Sequence, residues 1–397
     1  MSAGILAAIT LDARGGGVAA VSRLLWRVFR DRWPDTGRLV TLLEDDTQIR
    51  SLDSTKAMRL RFGARLAKAQ VLGDPAFVLY SHVSVAQVQA YIPEALGRPY
   101  AIFLHGIEAW RALSRTQRGV IEGATLLIAN SEYTAARVAD THPWMGPISV
   151  CPLALCPAER AAAGTFEAGT MPTILGQQVV LIVARMSSKE RYKGHDQLLE
   201  AWPAVLARMP DAELVFAGTG DDAARLRSKA ASLGLGRRVL FPGFVQDETL
   251  QELYRRAAVF AMPSRDEGFG LVYLEAMSHS LPCIGSTHDA AGETIQDGVT
   301  GFLRPQGDIA GLADAIIRLL GDESQRREAA AFIDSLTKAG TYHAPIVTQV
   351  VPLGAFYAAE DYHQDYLALH PDQPYIVYND LPKLEQLRQR FPALYRS

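Results

Sequence analysis

Two glutamates eight residues apart, Glu267 and Glu275, flank the turn Gly268-Phe269-Gly270-Leu271, which follows the apolar run Ala257–Met262. An ionised carboxylate accepts hydrogen bonds and donates none, so a pair facing one crevice suits a ligand rich in hydroxyls. The glycines on either side of Phe269 let backbone come close to a phosphate or a sugar, and a helix starting near Leu271 offers unpaired N–H groups to an anion. Two cations stand in a similar setting. Arg185 ends the apolar run that begins at Val179, and Lys193 follows eight residues later, with Lys189 as a nearby competitor. A diphosphate needs such neutralisation where no metal supplies it. Hydroxyls and a diphosphate together describe a nucleotide-sugar. His105, directly after the apolar run Ala101–Leu104 and before Gly106, is a third candidate at the edge of a crevice.

Positioning these groups requires strands whose carboxyl ends share an edge. Ile5–Leu11, Phe77–Tyr80, Ala101–Leu104 and Leu126–Ala129 read as buried parallel strands separated by helical patterns. Val179–Arg185, Ala212–Gly218, Val239–Val245 and Ala257–Met262 repeat that rhythm. Strands alternating with helices predict a doubly wound parallel sheet. The first strand leads into Gly15-Gly16-Gly17 and a helix from Val18 to about Arg32; the loop lacks the G-x-G-x-x-G spacing of a dinucleotide fingerprint. The pairs Asp45-Asp46 and Asp221-Asp222 lack D-x-D spacing and read as caps or solvated loops.

The stretch Ser264–Gly301, with Glu267 and Glu275 in E-x7-E spacing and Asp297-Gly-Val-Thr-Gly-Phe302 after it, closely resembles the signature of the large fourth family of retaining glycosyltransferases, typified by sucrose synthases and bacterial mannosyl- and glucosyltransferases. The competing reading is an ordinary amphipathic helix with surface glutamates. The resemblance covers residues 1 to about 325 and implies an α/β fold of two facing Rossmann-like doubly wound domains, the GT-B type. It implies transfer of a hexose from a nucleoside diphosphate sugar to a sugar or lipid-linked acceptor, with retained configuration and no required metal or other cofactor. Carried over residue by residue, it places Gly16 and Gly17 against the donor diphosphate and sugar, and Arg185 and Lys193 on the diphosphate. The backbone about Phe244 and Val245 would line the base. Gly268, Phe269, Gly270 and Leu271 would form the donor loop, and Glu275 would take the ribose hydroxyls. Glu267 and His105 are the catalytic candidates, one orienting sugar hydroxyls and the other beside the reacting carbon. Asn130-Ser131-Glu132-Tyr133 matches the stretch that closes the ligand-facing edge of the first domain. The expected domains are residues 1–157, a linker at 158–178, and the nucleotide-sugar-binding domain at 179–322.

The composition, 48% hydrophobic and 21% charged over 397 residues, is that of a globular chain with room for a core in each half. Residues 1–160 carry 18 Lys and Arg against 14 Asp and Glu, while the remainder carries 22 against 29. The first half is therefore the one suited to an anionic surface. Arg23, Arg27 and Arg30, then Lys56, Arg59, Arg61, Arg65 and Lys68, form either a face for peripheral contact with a membrane or a solvated helix surface. No nucleic acid is expected as a partner. Cys151, Cys156 and Cys283 show neither a disulfide framework nor metal-ligand spacing, and no apolar run reaches the ~18–20 residues of a membrane span. The start reads as a first strand rather than a leader, which makes a cytoplasmic protein, either free or peripheral on the inner face of the membrane, the expectation.

Beyond about residue 323 the pattern changes. Ala359-Glu-Asp361-Tyr-His-Gln-Asp-Tyr366 closely resembles a motif in the carboxyl-terminal third of peptide methionine sulfoxide reductase A. The resemblance implies a short α+β-type fragment at 323–397 in which Asp361 and Tyr366 are vestiges of a sulfoxide site. The thiolate that this chemistry needs, in a Gly-Cys-Phe-Trp segment, does not occur, so no reductase activity is expected. Two rivals remain open: a sulfoxide reductase, and a non-catalytic sugar-nucleotide-binding protein.

Overall fold

The computed structural model describes residues 4–12, 15–43, 55–93, 97–155 and 176–321. Asp45, Asp46, Asp361 and Tyr366 lie outside the described residues, as does all of the separate unit Val351–Ser397.

Among the described residues, twelve strands form two six-stranded sheets. The first contains β1 (Gly4–Ala8), β2 (Arg38–Thr41), β3 (Phe77–Tyr80), β4 (Tyr100–Leu104), β5 (Leu126–Ala129) and β6 (Ile148–Val150), in the order β2-β1-β3-β4-β5-β6. The second contains β7 (Val179–Val183), β8 (Glu213–Ala217), β9 (Val239–Gly243), β10 (Val259–Ala261), β11 (Cys283–Ser286) and β12 (Gly301–Arg304), in the order β12-β11-β10-β7-β8-β9. Every pairing is parallel. The α/β class and its two doubly wound sheets are therefore as expected. Helices cover a parallel sheet on both faces, which is why β1 and β8 are buried at every residue.

β1 stops at Ala8 rather than running to Leu11. Its neighbours end there: Ala8 pairs with Thr41 and Ala7 with Tyr80, the last residues of β2 and β3. Beyond that point the pairing thins to the Leu43 N–H donating to the Ile9 carbonyl at 2.9 Å.

In an open α/β sheet the ligand crevice lies where strand order reverses, outside the carboxyl ends of the strands. The second sheet reverses between β7 and β10, so the loops that leave them, carrying Arg185 and Glu267, flank that point. The first sheet reverses between β1 and β3; Gly16 and Gly17 open the helix Gly16–Arg32 that follows β1, and His82 lies just after β3. His105 follows the next strand, β4.

The second lobe's core includes the fully buried Trp202 of helix His195–Arg208, packed with the helix Ile309–Gly321. That last helix buries Leu312, Ala313, Ala315, Ile316, Leu319 and Leu320. In the first lobe, the helix Lys56–Gly73 exposes Leu60, Val71 and Leu72 alongside Lys56, Arg61 and Lys68. Among the described residues no helix is long and apolar enough to cross a membrane.

His195 is 3% exposed, edge-on to Phe216 at 5.1 Å, and its Nε2 makes no hydrogen bond. Burial, helped by the Lys193 charge, pushes it down to about 4 from an ordinary 6.5. The unfolded chain then binds more protons between those values, so the contribution to stability is complete above 6.5 and lost as pH falls to about 4. Urea denaturation over this window should show His195→Phe flattening the pH dependence of stability by up to ~3 kcal/mol.

Candidate active site

The loop Pro263–Gly270 leaves β10 and is fastened from several sides. Arg265 donates its N–H to the carbonyl of Tyr192 at 3.0 Å, and Ala290 donates to that of Glu267 at 3.1 Å. The carboxylate of Asp289 accepts from Ser264 Oγ and from the Glu267 N–H. Gly270 has φ +87°, and a Cβ there would lie 2.3 Å from the ring of Tyr273. Only glycine can make this turn into the helix Leu271–Met277.

Fastened so, Glu267 forms an ion pair with Lys193, both largely buried. Burial works against the ammonium, but the Glu267 carboxylate outweighs it and raises Lys193 to about 12. Lys193 rather than Lys189 therefore meets the glutamate. Arg185, across the switch point, is 57% exposed and lies 2.5 Å from Glu190. Glu275 accepts from the hydroxyl of the buried Tyr254 at 2.9 Å. Val245 packs partly buried against the second lobe's core, after an exposed Phe244.

The 3₁₀ segment Ser188–Lys193 that carries the lysine is anchored by an ionic network. Arg191 and Arg225 both grip Asp222, and Arg225 also grips Asp196. Asp221 accepts from the Ser188 N–H at 2.8 Å. Asp222 thus differs from the expected solvated cap. It is 4% exposed, and the guanidinium groups hold its carboxyl far below the usual range. Among the described residues no group of three or more His, Cys, Asp or Glu could hold a metal ion.

On the opposite wall, His105 Nε2 lies 2.6 Å from the Ser81 carbonyl. A carbonyl only accepts, so Nε2 bears the proton and Nδ1 is left for other contacts. The His105 ring stacks on His82 at 5.6 Å, and its backbone N–H donates to Glu108 at 2.6 Å. Burial pushes His82 down to about 4, against the pull of Glu108 and with a further push from His105. Glu108, despite its burial, is held below the usual carboxylate range by His82 and His105. A Cβ on Gly16 or Gly17 would meet nothing within 4 Å, so both glycines border open space.

The two walls touch at Gly268. A Cβ there would stand 1.8 Å from the His105 carbonyl oxygen, a separation that no side chain permits. Ser131 Oγ donates to the Gly268 carbonyl at 2.6 Å, and Thr134 Oγ1 at 3.1 Å. Phe269, expected in the donor loop, is 5% exposed and clusters with Val21, Phe103 and Leu153 of the first lobe, with Leu271 packed nearby. Glu293 reaches across to accept the N–H groups of Glu132 and Tyr133 at 3.0 and 2.6 Å, capping their helix. Arg137 pairs with Asp266 at 3.3 Å.

Residues 177–322 match the family Glycosyl transferases group 1, and residues 315–394 match Peptide methionine sulfoxide reductase. The chain joins a group 1 glycosyltransferase domain to a methionine sulfoxide reductase A-like segment. The glycosyltransferase domain is 37% identical over 150 residues to the phosphatidyl-myo-inositol mannosyltransferase of Mycobacterium leprae, covering 38% of this chain and 39% of that one. The tail is 55% identical over 74 residues to peptide methionine sulfoxide reductase MsrA 2 of Mesorhizobium japonicum, covering 19% of this chain and 38% of that one. The chain thus spans about two fifths of each of these curated relatives. Among solved structures, Anabaena HepE in complex with UDP and glucose superposes with a TM-score of 0.64 at 19% identity, over 85% of this chain and 95% of that one. At that identity the likeness is one of fold. The matched spans overlap at 315–322, within or just after the helix Ile309–Gly321, so the junction falls where the last core helix of the glycosyltransferase domain ends.

Asp289, Glu293, His82 and Glu108 were not singled out from the sequence. Each acts on backbone or on a neighbouring side chain, and no local spacing marks that role. Gly268→Ala should force the lobes apart at His105. Small-angle scattering should show a larger radius of gyration, and any transfer activity should fall by about 100-fold, as expected for a displacement of roughly 1 Å at a reacting centre.

Proposed function

We propose that the chain is a retaining glycosyltransferase that moves a hexose from a nucleoside diphosphate sugar to a sugar or lipid-linked acceptor. The observation that carries this reading is the Lys193–Glu267 pair at the second lobe's switch point, directly beside the place where Gly268 meets His105. Arg185 and Lys193 supply positive charge for the leaving diphosphate, which makes a metal unnecessary. The open backbone at Gly16 and Gly17 lies against the diphosphate and sugar, and the backbone of Gly270 and Leu271 faces the phosphates. Glu267 accepts from hydroxyls of the sugar and Glu275 from those of the ribose, while Val245 lines the base. His105, its Nε2 held by Ser81, turns Nδ1 toward the sugar near the reacting carbon. The acceptor hydroxyl attacks on the face that the diphosphate leaves, through a loose oxocarbenium-like state, and its proton passes to the departing phosphate oxygen.

The M. leprae relative named above is a phosphatidyl-myo-inositol mannosyltransferase, and the superposed HepE holds UDP and glucose. These names favour a nucleotide donor and a lipid-linked acceptor here as well. The exposed Leu60, Leu72, Arg61 and Lys68 of the first lobe suit peripheral contact with an anionic cytoplasmic membrane face. Domain limits of 1–157 and 179–322, joined by 158–178, fit the two sheets. The reductase-like segment carries no cysteine to act as the sulfoxide nucleophile. Cys151, Cys156 and Cys283 all lie outside 315–394, and Cys283 is buried with its thiol pushed well up.

A nucleotide-sugar at about 100 times its Kd should stabilise the folded chain by ~2.7 kcal/mol, a thermal shift of a few degrees. Arg185→Ala should abolish the shift. Glu267→Gln should keep much of it yet lower transfer by about 100-fold, the scale of one lost transition-state contact. No shift with any nucleoside diphosphate or nucleotide-sugar would overturn the reading.

A further inference from the structure

We propose that Asp289 is a positioning residue that joins the Glu267 loop and the Glu293 turn into one body, so that donor-site geometry and lobe contact are set together. The proposal rests on the glycosyltransferase reading above. Asp289 is 5% exposed. Its Oδ2 accepts from Ser264 Oγ and, at 3.3 Å, from the Glu267 N–H; its Oδ1 accepts from the Ala291 N–H at 3.0 Å. The link is reciprocal, because Ala290 donates back to the Glu267 carbonyl at 3.1 Å. Each joined segment touches the first lobe. Gly268, next to Glu267, takes the Ser131 and Thr134 hydroxyls, and Glu293, which ends the 3₁₀ turn begun at Ala290, caps the helix that starts at Glu132. A change at Asp289 therefore reaches the donor glutamate and the lobe contact through one carboxylate.

The ionised form suits this role, since three donors converge on two oxygens and a protonated carboxyl gives up part of that capacity. The charged and titratable groups that face it are Glu267, itself paired with Lys193, and the buried Tyr273 phenol of the helix Leu271–Met277. Burial drives Asp289 up to about 7 from an ordinary 3.8, with the Glu267 charge adding to the rise and the Ser264, Ala291 and Glu267 hydrogen bonds opposing it. Between those values the folded chain binds the extra proton. Stability from this group is thus full below 3.8 and lost as pH rises to about 7. The ionised carboxylate costs stability in the pH range where its three acceptor contacts are complete.

Two probes with diphosphate esters that do not titrate near neutrality, UDP-glucose and GDP-mannose, provide the functional test between about pH 5.5 and 8.5. Wild-type affinity and kcat/KM should rise through an inflection near 7. Asp289→Asn should lower kcat/KM about 10- to 100-fold, the scale of a lost hydrogen bond to a charged group, and remove the inflection. Ser264→Ala, which removes one donor, should move the inflection upward with a smaller loss. Wild-type kcat/KM and pH profile in Asp289→Asn, or an unmoved inflection in Ser264→Ala, would overturn the proposal. Hydrogen exchange reads the same coupling without ligand. Faster exchange of residues 264–270 together with 131–134 in both variants supports it, and unchanged exchange at 131–134 overturns it. A wild type that binds neither probe would count against the glycosyltransferase reading alone, because the exchange result still decides this one. Should Asp289→Asn fail to fold, the Ser264→Ala inflection and exchange decide.

Discussion

The approach of Gly268 to the His105 carbonyl is the contact on which the rest of the site depends. It is a backbone-to-backbone meeting, with room for no Cβ, sealed by the hydroxyls of Ser131 and Thr134. Interactions of this kind have little slack, since each partner belongs to a strand-end loop whose own sheet is fully packed. Phe269 adds an apolar plug into the first lobe, and Glu293 adds a charged cap. The result is that the groups suited to the two ends of a nucleotide-sugar sit in one cleft: cations and carboxylates of the second lobe on one side, the imidazole and open glycines of the first on the other.

Electrostatics in this cleft are arranged around carboxylates that have work to do on neighbours before any ligand arrives. Glu267 holds Lys193, Glu190 holds Arg185, and Asp222 with Asp196 immobilises the segment from which Lys193 projects. An exposed ion pair is worth little, but Lys193 and Glu267 are both mostly shielded from water, where removing one partner strands the other. In the proposed function, a diphosphate entering beside Lys193 would meet an ammonium that is already desolvated and fixed. Reorganisation at the moment of binding is correspondingly small.

Much of the fold could be read from the chain, because buried parallel strands are continuous apolar runs. Phe77–Tyr80 and Leu126–Ala129 stand where the pattern puts them. The edge strands β2 and β6 did not stand out: they are three or four residues long and half solvated, and Arg38 and Ser149 interrupt their apolar character. β11, Cys-Ile-Gly-Ser, is entirely buried yet half of it is glycine and serine. At the site, Glu267, Gly270 and Lys193 were legible because charge and glycine at strand ends are local signals. Asp289 was not, since its importance lies in accepting from the backbone of a loop more than twenty residues away. The same limit applies to the need for glycine at 268, which is set by the His105 carbonyl of the other lobe and has no local spacing to mark it.

A crystal structure of the chain with UDP-glucose or GDP-mannose is the most direct test of the central claim, that the cleft closed by Gly268 and His105 holds the donor. The diphosphate is expected beside Arg185 and Lys193, with the sugar between Glu267 and His105. A nucleotide bound away from both cations, or a sugar directed out of the cleft, would contradict it.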